Sequence, residues 1–129
     1  MNNFDKWNTI KKEINQKNTI WTIKPREIYW VKIGKNIGYE QDGKGENFLR
    51  PVLILKKFNK NVFIGIPLTS QEKSHYLYFK FNYKNNKNSY AILSQIRLYD
   101  VKRIYSKSGK INYEDFQQLK EQIKNILDL

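Results

Sequence analysis

Arg50 opens a run of strand-forming residues directly before Pro51, and Thr69 closes another in Pro67-Leu68-Thr69-Ser70. If the two runs pair as a hairpin, the start of one lies beside the end of the other. A guanidinium and a hydroxyl then meet at one end of a sheet. Such a pair suits the cleavage of RNA through the substrate's own 2′-hydroxyl. The protein need only hold O2′ in line with the phosphorus, which is a positioning effect. It must also stabilise charge on the non-bridging oxygens and protonate the departing 5′-oxygen. Taken alone, both residues have plainer readings: an Arg-Pro strand start can be a solvated charge, and a Pro-x-Thr-Ser end can be a turn.

Other chemistries find less support. No glycine-rich phosphate loop is followed by Lys-Ser or Lys-Thr. There is no cysteine, which removes disulfides and thiolate ligands. His75 is the one histidine, and with the scattered carboxylates it makes no metal-ligand set of usable spacing. No Gly-x-Ser-x-Gly elbow supports a serine-hydrolase triad. His75 is open to a general-base role, but an exposed histidine without catalytic duty fits its place after a polar loop equally well.

The chain carries 24 Lys+Arg against 12 Asp+Glu, a net charge of +12. A field of that size attracts polyanions. The richness in Lys, Asn and Ile is also what an AT-rich genome encodes, so charge points to nucleic acid without proving it. Nine Tyr, seven Phe and three Trp could stack bases beside cations or simply fill a core.

The elements that must position these residues are short. Phe4 to about Lys17 reads as an amphipathic helix, with Phe4, Trp7, Ile10 and Ile14 on one stripe. After Pro25, Arg26–Ile33 reads as a strand. Gly34–Leu49 is a long loop with four glycines and the polar Glu40, Gln41, Asp42 and Lys44, of the kind that covers a site. Arg50–Phe58 and Val62–Leu68 form a hairpin about Asn59-Lys60-Asn61. Further strands are read at His75–Phe81, Tyr90–Leu93 and Leu98–Tyr105, with a polar turn over Asn82–Asn88. Asn112 caps a C-terminal helix whose apolar stripe is Phe116, Leu119, Ile123 and Ile126. Five or six short strands without helices between them predict a mainly β fold, a small barrel with flanking helices. One domain over 1–129 is expected: a helical extension over 1–20, a barrel over 24–111 and a helix over 112–129. The N-terminus lacks an apolar leader core, and no stretch is apolar enough to span a membrane, so a cytoplasmic protein is expected.

Read in order, several segments resemble the MazF/PemK toxin family. They are Glu27-Ile28-Tyr29-Trp30-Val31, Ile37-Gly38-Tyr39-Glu40-Gln41-Asp42-Gly43-Lys44, Arg50-Pro51-Val52-Leu53-Ile54, Ile66-Pro67-Leu68-Thr69-Ser70 and Leu93-Ser94-Gln95-Ile96-Arg97. The resemblance runs from about 24 to 127, and the N-terminal helix looks like an extension of one branch. It implies an SH3-like barrel of the MazF/PemK/CcdB type, acting as a homodimer that cuts single-stranded RNA or mRNA without metal or cofactor. The products it implies are a 2′,3′-cyclic phosphate and a 5′-hydroxyl. It also implies a cognate antitoxin whose acidic segment fills the RNA groove.

By the same resemblance, Arg50 and Thr69 correspond to the family's catalytic Arg and Thr. Arg50 would clamp the phosphate and donate a proton. A guanidinium, with a pKa above about 12, is a poor base. Ser70, Gln95, Glu40, Lys44 and Arg97 are the further candidates for substrate contact. One branch uses an acidic residue before the Gln of the Gln-x-Arg motif and a loop histidine; here those positions hold Ser94 and Tyr39, so that mechanism has no counterpart. The alternatives are a non-catalytic RNA- or protein-binding barrel, or an inactive relative kept for antitoxin or DNA binding. The gyrase-poisoning branch relies on a C-terminal Trp-Gly-Ile, where this chain reads Leu127-Asp128-Leu129.

Overall fold

The computed structural model describes residues 21–33 and 49–129. The expected N-terminal helix and the glycine-rich loop, with Glu40 and Lys44, lie outside the described residues. Among the described residues seven strands form one sheet: β1 (Glu27–Lys32), β2 (Leu49–Lys57), β3 (Val62–Thr69), β4 (Tyr78–Lys84), β5 (Lys87–Ile92), β6 (Arg97–Asp100) and β7 (Ile104–Lys110). The helix α1 spans Tyr113–Leu127. The order across the sheet is β4-β5-β3-β2-β1-β7, and β6 also pairs with β3. β5 meets β3 at Leu68 and Thr69, and β6 meets it at Val62–Gly65.

The β2–β3 hairpin forms as expected around Asn59, whose side chain accepts from the backbone of Asn61 and Val62 at 2.7 and 3.1 Å. The polar turn is tighter than expected. β4 runs on to Lys84, and only Asn85 and Asn86 turn the chain, with φ of 54° and 57°. Asparagine tolerates this left-handed region, and two such residues make the turn that matches strand twist. β4 also begins later than expected, because His75 and Tyr76 belong to the turn before it. The expected Leu98–Tyr105 strand is broken in two. The side chain of Asp100 accepts from Lys102 N at 2.8 Å and caps a short 3-10 turn, Val101–Arg103. Local side-chain capping of this kind competes with the strand ladder.

The sheet curls because its ladders are irregular. The register shifts twice between β1 and β7 and once between β2 and β3, and such bulges increase bend and twist. The far edges β4 and β7 are thereby brought together. Gly109 allows the approach: a Cβ there would sit 2.7 Å from the Tyr83 ring. The Tyr83 hydroxyl then hydrogen-bonds the Ser108 hydroxyl at 3.0 Å.

Each face of the curled sheet carries a core. Ile28, Leu53, Ile66, Leu68, Phe79, Phe81 and Ala91 cluster inside, closed by Phe116, Leu119 and Ile123 of α1. The helix starts as the sequence predicts. Asn112 Oδ1 accepts from Asp115 N at 2.7 Å, satisfying an otherwise orphaned donor. It stops at Asp128, which is left-handed with φ 62°. On the other face Tyr29, Val31, Val52, Ile54, Phe63, Tyr99 and Ile104 pack beneath Ile23. No helix among the described residues is long and apolar enough to cross a membrane.

Candidate active site

The β2–β3 register fixes the first relationship. Val52 pairs with Pro67, Leu53 with Ile66 and Ile54 with Gly65. Continued by two residues, the same ladder sets Arg50 opposite Thr69, and paired residues share a sheet face. Both are half-buried. Arg50 is held on its other side by pairing with Val31 of β1. Thr69 is held by pairing with Tyr90 of β5. The Thr69 hydroxyl oxygen accepts from Gln71 N at 3.2 Å, which leaves its proton free to donate.

A cleft of about 450 Å³ opens at this end of the barrel. Arg50, Thr69 and Ser70 line one side, Trp30 and Tyr83 contribute rings, and Lys84 and Lys87 come from the tip of the β4–β5 hairpin. Among the described residues, none that lines it is acidic. Three cations and several hydroxyl and amide groups make it a site for an anion with polar surroundings.

Of the sequence-predicted residues, Arg50, Thr69 and Ser70 are brought together. Gln95 and Arg97 are exposed and lie outside the cleft lining. Arg97 pairs with Gly65 of β3, and its guanidinium sits 4.7 Å over the Tyr99 ring. Gly65 has no room for a side chain: a Cβ would lie 2.5 Å from Val52 Cγ1. Burial pushes the Tyr99 hydroxyl up from its usual range, against the charges of Arg97 and Arg50, which pull it down. Both arginines therefore act on one phenol. His75 is exposed, accepts at Nδ1 from Leu77 N at 3.3 Å, and does not line the cleft. Lys84, Lys87 and Trp30 escaped the sequence reading. The run Lys84-Asn85-Asn86-Lys87 announced a turn, but only the curl of the sheet shows that the turn hangs over Arg50.

A second cluster fixes the entry to β1. Glu27 is buried, accepts from the Tyr29 hydroxyl at 2.8 Å and from Lys24 N at 2.9 Å, and pairs with Lys107 Nζ at 3.0 Å. Burial raises the carboxyl pKa, but these donors outweigh it and hold it below the usual carboxylate range. Burial and the adjacent carboxylate push the Tyr29 phenol well up. The cluster stands apart from the cleft lining and serves the fold.

A small curled barrel, sealed by a C-terminal helix and bearing a cationic cleft at one mouth, is the architecture these features define. The family model for the PemK-like, MazF-like toxin of type II toxin–antitoxin systems matches residues 24–127, and the chain belongs to that family. Solved structures share the fold. MazF of Deinococcus radiodurans superposes with a TM-score of 0.66 at 16% identity, covering 84% of this chain and 99% of its own. Toxin MazF-mt6 of Mycobacterium tuberculosis gives 0.63 at 19% identity, covering 81% and 98%. A mycobacterial endoribonuclease in complex with its cognate antitoxin gives 0.66 at 11% identity, covering 84% and 97%. No curated protein matches the chain in sequence.

Proposed function

We propose that this chain is the toxin of a type II toxin–antitoxin pair and acts as an endoribonuclease on single-stranded RNA. The observation that carries the reading is the meeting of Arg50 and Thr69 at a cleft that Lys84 and Lys87 also line. The substrate's O2′ attacks the adjacent phosphorus. The O2′–P bond forms, the P–O5′ bond breaks, and the products end in a 2′,3′-cyclic phosphate and a 5′-hydroxyl. Arg50 offers two parallel N–H donors to the non-bridging oxygens, where charge develops in the transition state. It also stands as proton donor to O5′ and regains its proton from solvent water, which also takes the proton lost from O2′. Thr69 donates a hydrogen bond from its hydroxyl to the same phosphate. Lys84 and Lys87 hold neighbouring phosphates. Such a mechanism uses the substrate's own nucleophile and asks for no metal. The net charge of +12 suits both RNA and an acidic antitoxin segment in the same groove.

The test is incubation of the purified protein with a long single-stranded RNA in excess EDTA, with mapping of the new ends. Site-selective cuts bearing cyclic phosphates are expected. Intact RNA across several diverse sequences would overturn the reading.

A further inference from the structure

The chain between β3 and β4 leaves Thr69 and ends in an aromatic cluster that the cleft does not use. The rings of His75 and Tyr76 are stacked, with centroids 4.7 Å apart at 29°. Tyr78 meets His75 edge-on at 6.3 Å, and Lys73 Nζ lies 5.7 Å from the Tyr78 ring centre. Tyr76 is 67% exposed. Its outer face is therefore open to a flat ligand, and every base has a face that can stack on such a ring.

The cluster is fixed in place. Gln122 of α1 donates to the carbonyls of Tyr76 at 2.6 Å and Tyr78 at 3.2 Å. Tyr78 N donates to His75 O at 3.0 Å, and Leu77 N donates to the His75 ring. A pinned backbone presents the rings with little ordering left to do on binding.

The register places Tyr78, the strand end of the cluster, relative to Arg50 and Thr69, and Tyr76 lies two residues before it in the chain. Thr69 pairs with Tyr90, and Tyr90 pairs with Lys80. Tyr78 lies two residues from Lys80 along β4 and so shares its face. Two strands across and two residues along separate Tyr78 from Thr69 by roughly 12 Å. Lys80, exposed on that face, stands between them. Flat rings beside cations, a short step from a phosphate site, match a chain of bases joined by phosphates.

We infer that His75 and Tyr76 form a base-stacking shelf that seats a nucleobase of single-stranded RNA flanking the bond held by Arg50 and Thr69. The shelf rests on the RNA reading of the cleft. Tyr76 supplies the outer face, and His75 backs it from behind. Stacking of this kind sets affinity, and a base removed from the shelf removes that affinity.

The test titrates the full protein with a fluorescent single-stranded RNA 2′-O-methylated throughout, which has no free nucleophile and stays whole. Wild type, Tyr76→Ala and Tyr76→Phe are compared by anisotropy, and melting curves check that each is folded. Tyr76→Ala is expected to raise Kd about tenfold, and Tyr76→Phe to stay within about twofold. With the bases next to the bound phosphate deleted one at a time, one abasic RNA should bind wild type and Tyr76→Ala alike, because the lost interaction is shared. An unchanged Kd for Tyr76→Ala, or the same loss on every abasic RNA, would overturn the shelf. So would a Tyr76→Ala defect in binding the antitoxin but not RNA, which would make the cluster a protein surface. If wild type binds with the Tyr76 effect but never cuts unmodified RNA, the shelf stands and the cleavage reading falls. If it cuts RNA and Tyr76→Ala binds as wild type does, the reverse holds.

Discussion

The hydroxyls of Tyr83 and Ser108 meet at 3.0 Å across the gap between β4 and β7. This contact joins the edges of the curled sheet and fixes the hairpin tip that carries Lys84 and Lys87 above Arg50. Tyr83→Phe should cost about 1 kcal/mol, the net worth of one hydrogen bond. Gly109→Ala should cost about 1–3 kcal/mol, because the new methyl meets the ring at 2.7 Å. In a Tyr83→Ala background the Gly109 substitution should become nearly neutral, since the clash has lost its partner. Denaturant melts of wild type and these four variants, Tyr83→Ala alone included, measure all three effects. Equal costs in both backgrounds would mean that the edges are held by something else.

The Glu27 cluster predicts how stability depends on pH. The folded carboxyl titrates below its unfolded value, so its contribution is present above the unfolded range. It is lost as pH falls through the folded value. The Tyr29 and Tyr99 phenols are raised, so theirs is full below the unfolded phenol range and lost as pH rises through the folded values. The melting temperature should therefore form a plateau near neutrality with shoulders on both sides. Glu27→Gln should lower stability by about 1–2 kcal/mol at neutral pH. It should also flatten the acid shoulder and leave the alkaline fall caused by Tyr99. An acid shoulder unchanged in Glu27→Gln would assign it to other carboxylates.

Much of this was legible because the signals were local. The β2–β3 hairpin followed from its turn asparagines, and α1 followed from its cap and its stripe. The resemblance carried by Arg50-Pro51 and Thr69-Ser70 led to the two residues that the β2–β3 ladder now sets opposite each other. What escaped was non-local. Nothing near Lys84 or Trp30 tells where a curling sheet will bring them. The break at Val101–Arg103 depends on one carboxylate, Asp100, bonding to its own backbone where β-branched neighbours favour a strand. Gln95 and Arg97 follow the motif order, yet they stand outside the cleft lining.

The seal between helix and sheet should be the most sensitive part of the fold. Phe116 and Leu119 are buried against Leu53, Ile66 and Phe79 in one cluster. Phe116→Ala should cost about 3–5 kcal/mol and Leu119→Ala about 2–5 kcal/mol. Chemical denaturation checks both, and losses below 1 kcal/mol would show that the helix is only loosely docked.

The cations of the cleft predict a salt dependence. For a single strand, the slope of log affinity against log salt is about −0.7 per phosphate contacted. Lys84→Ala and Lys87→Ala should each make the slope shallower by about 0.7 and weaken all RNA sequences alike. A slope unchanged in both variants would move the RNA path away from the hairpin tip.

The proposed function requires Arg50 and Thr69 to act together on one phosphate. Its most direct test is single-turnover cleavage of one RNA in EDTA by wild type, Arg50→Ala, Thr69→Ala and the double variant. Each single change should slow the chemical step by about 10²–10³, the usual loss for one transition-state donor. The double variant should lose clearly less than the product of the two, as happens when groups act as a unit. Rates within about twofold of wild type in either single variant would contradict the account and place the chemistry elsewhere on the molecule.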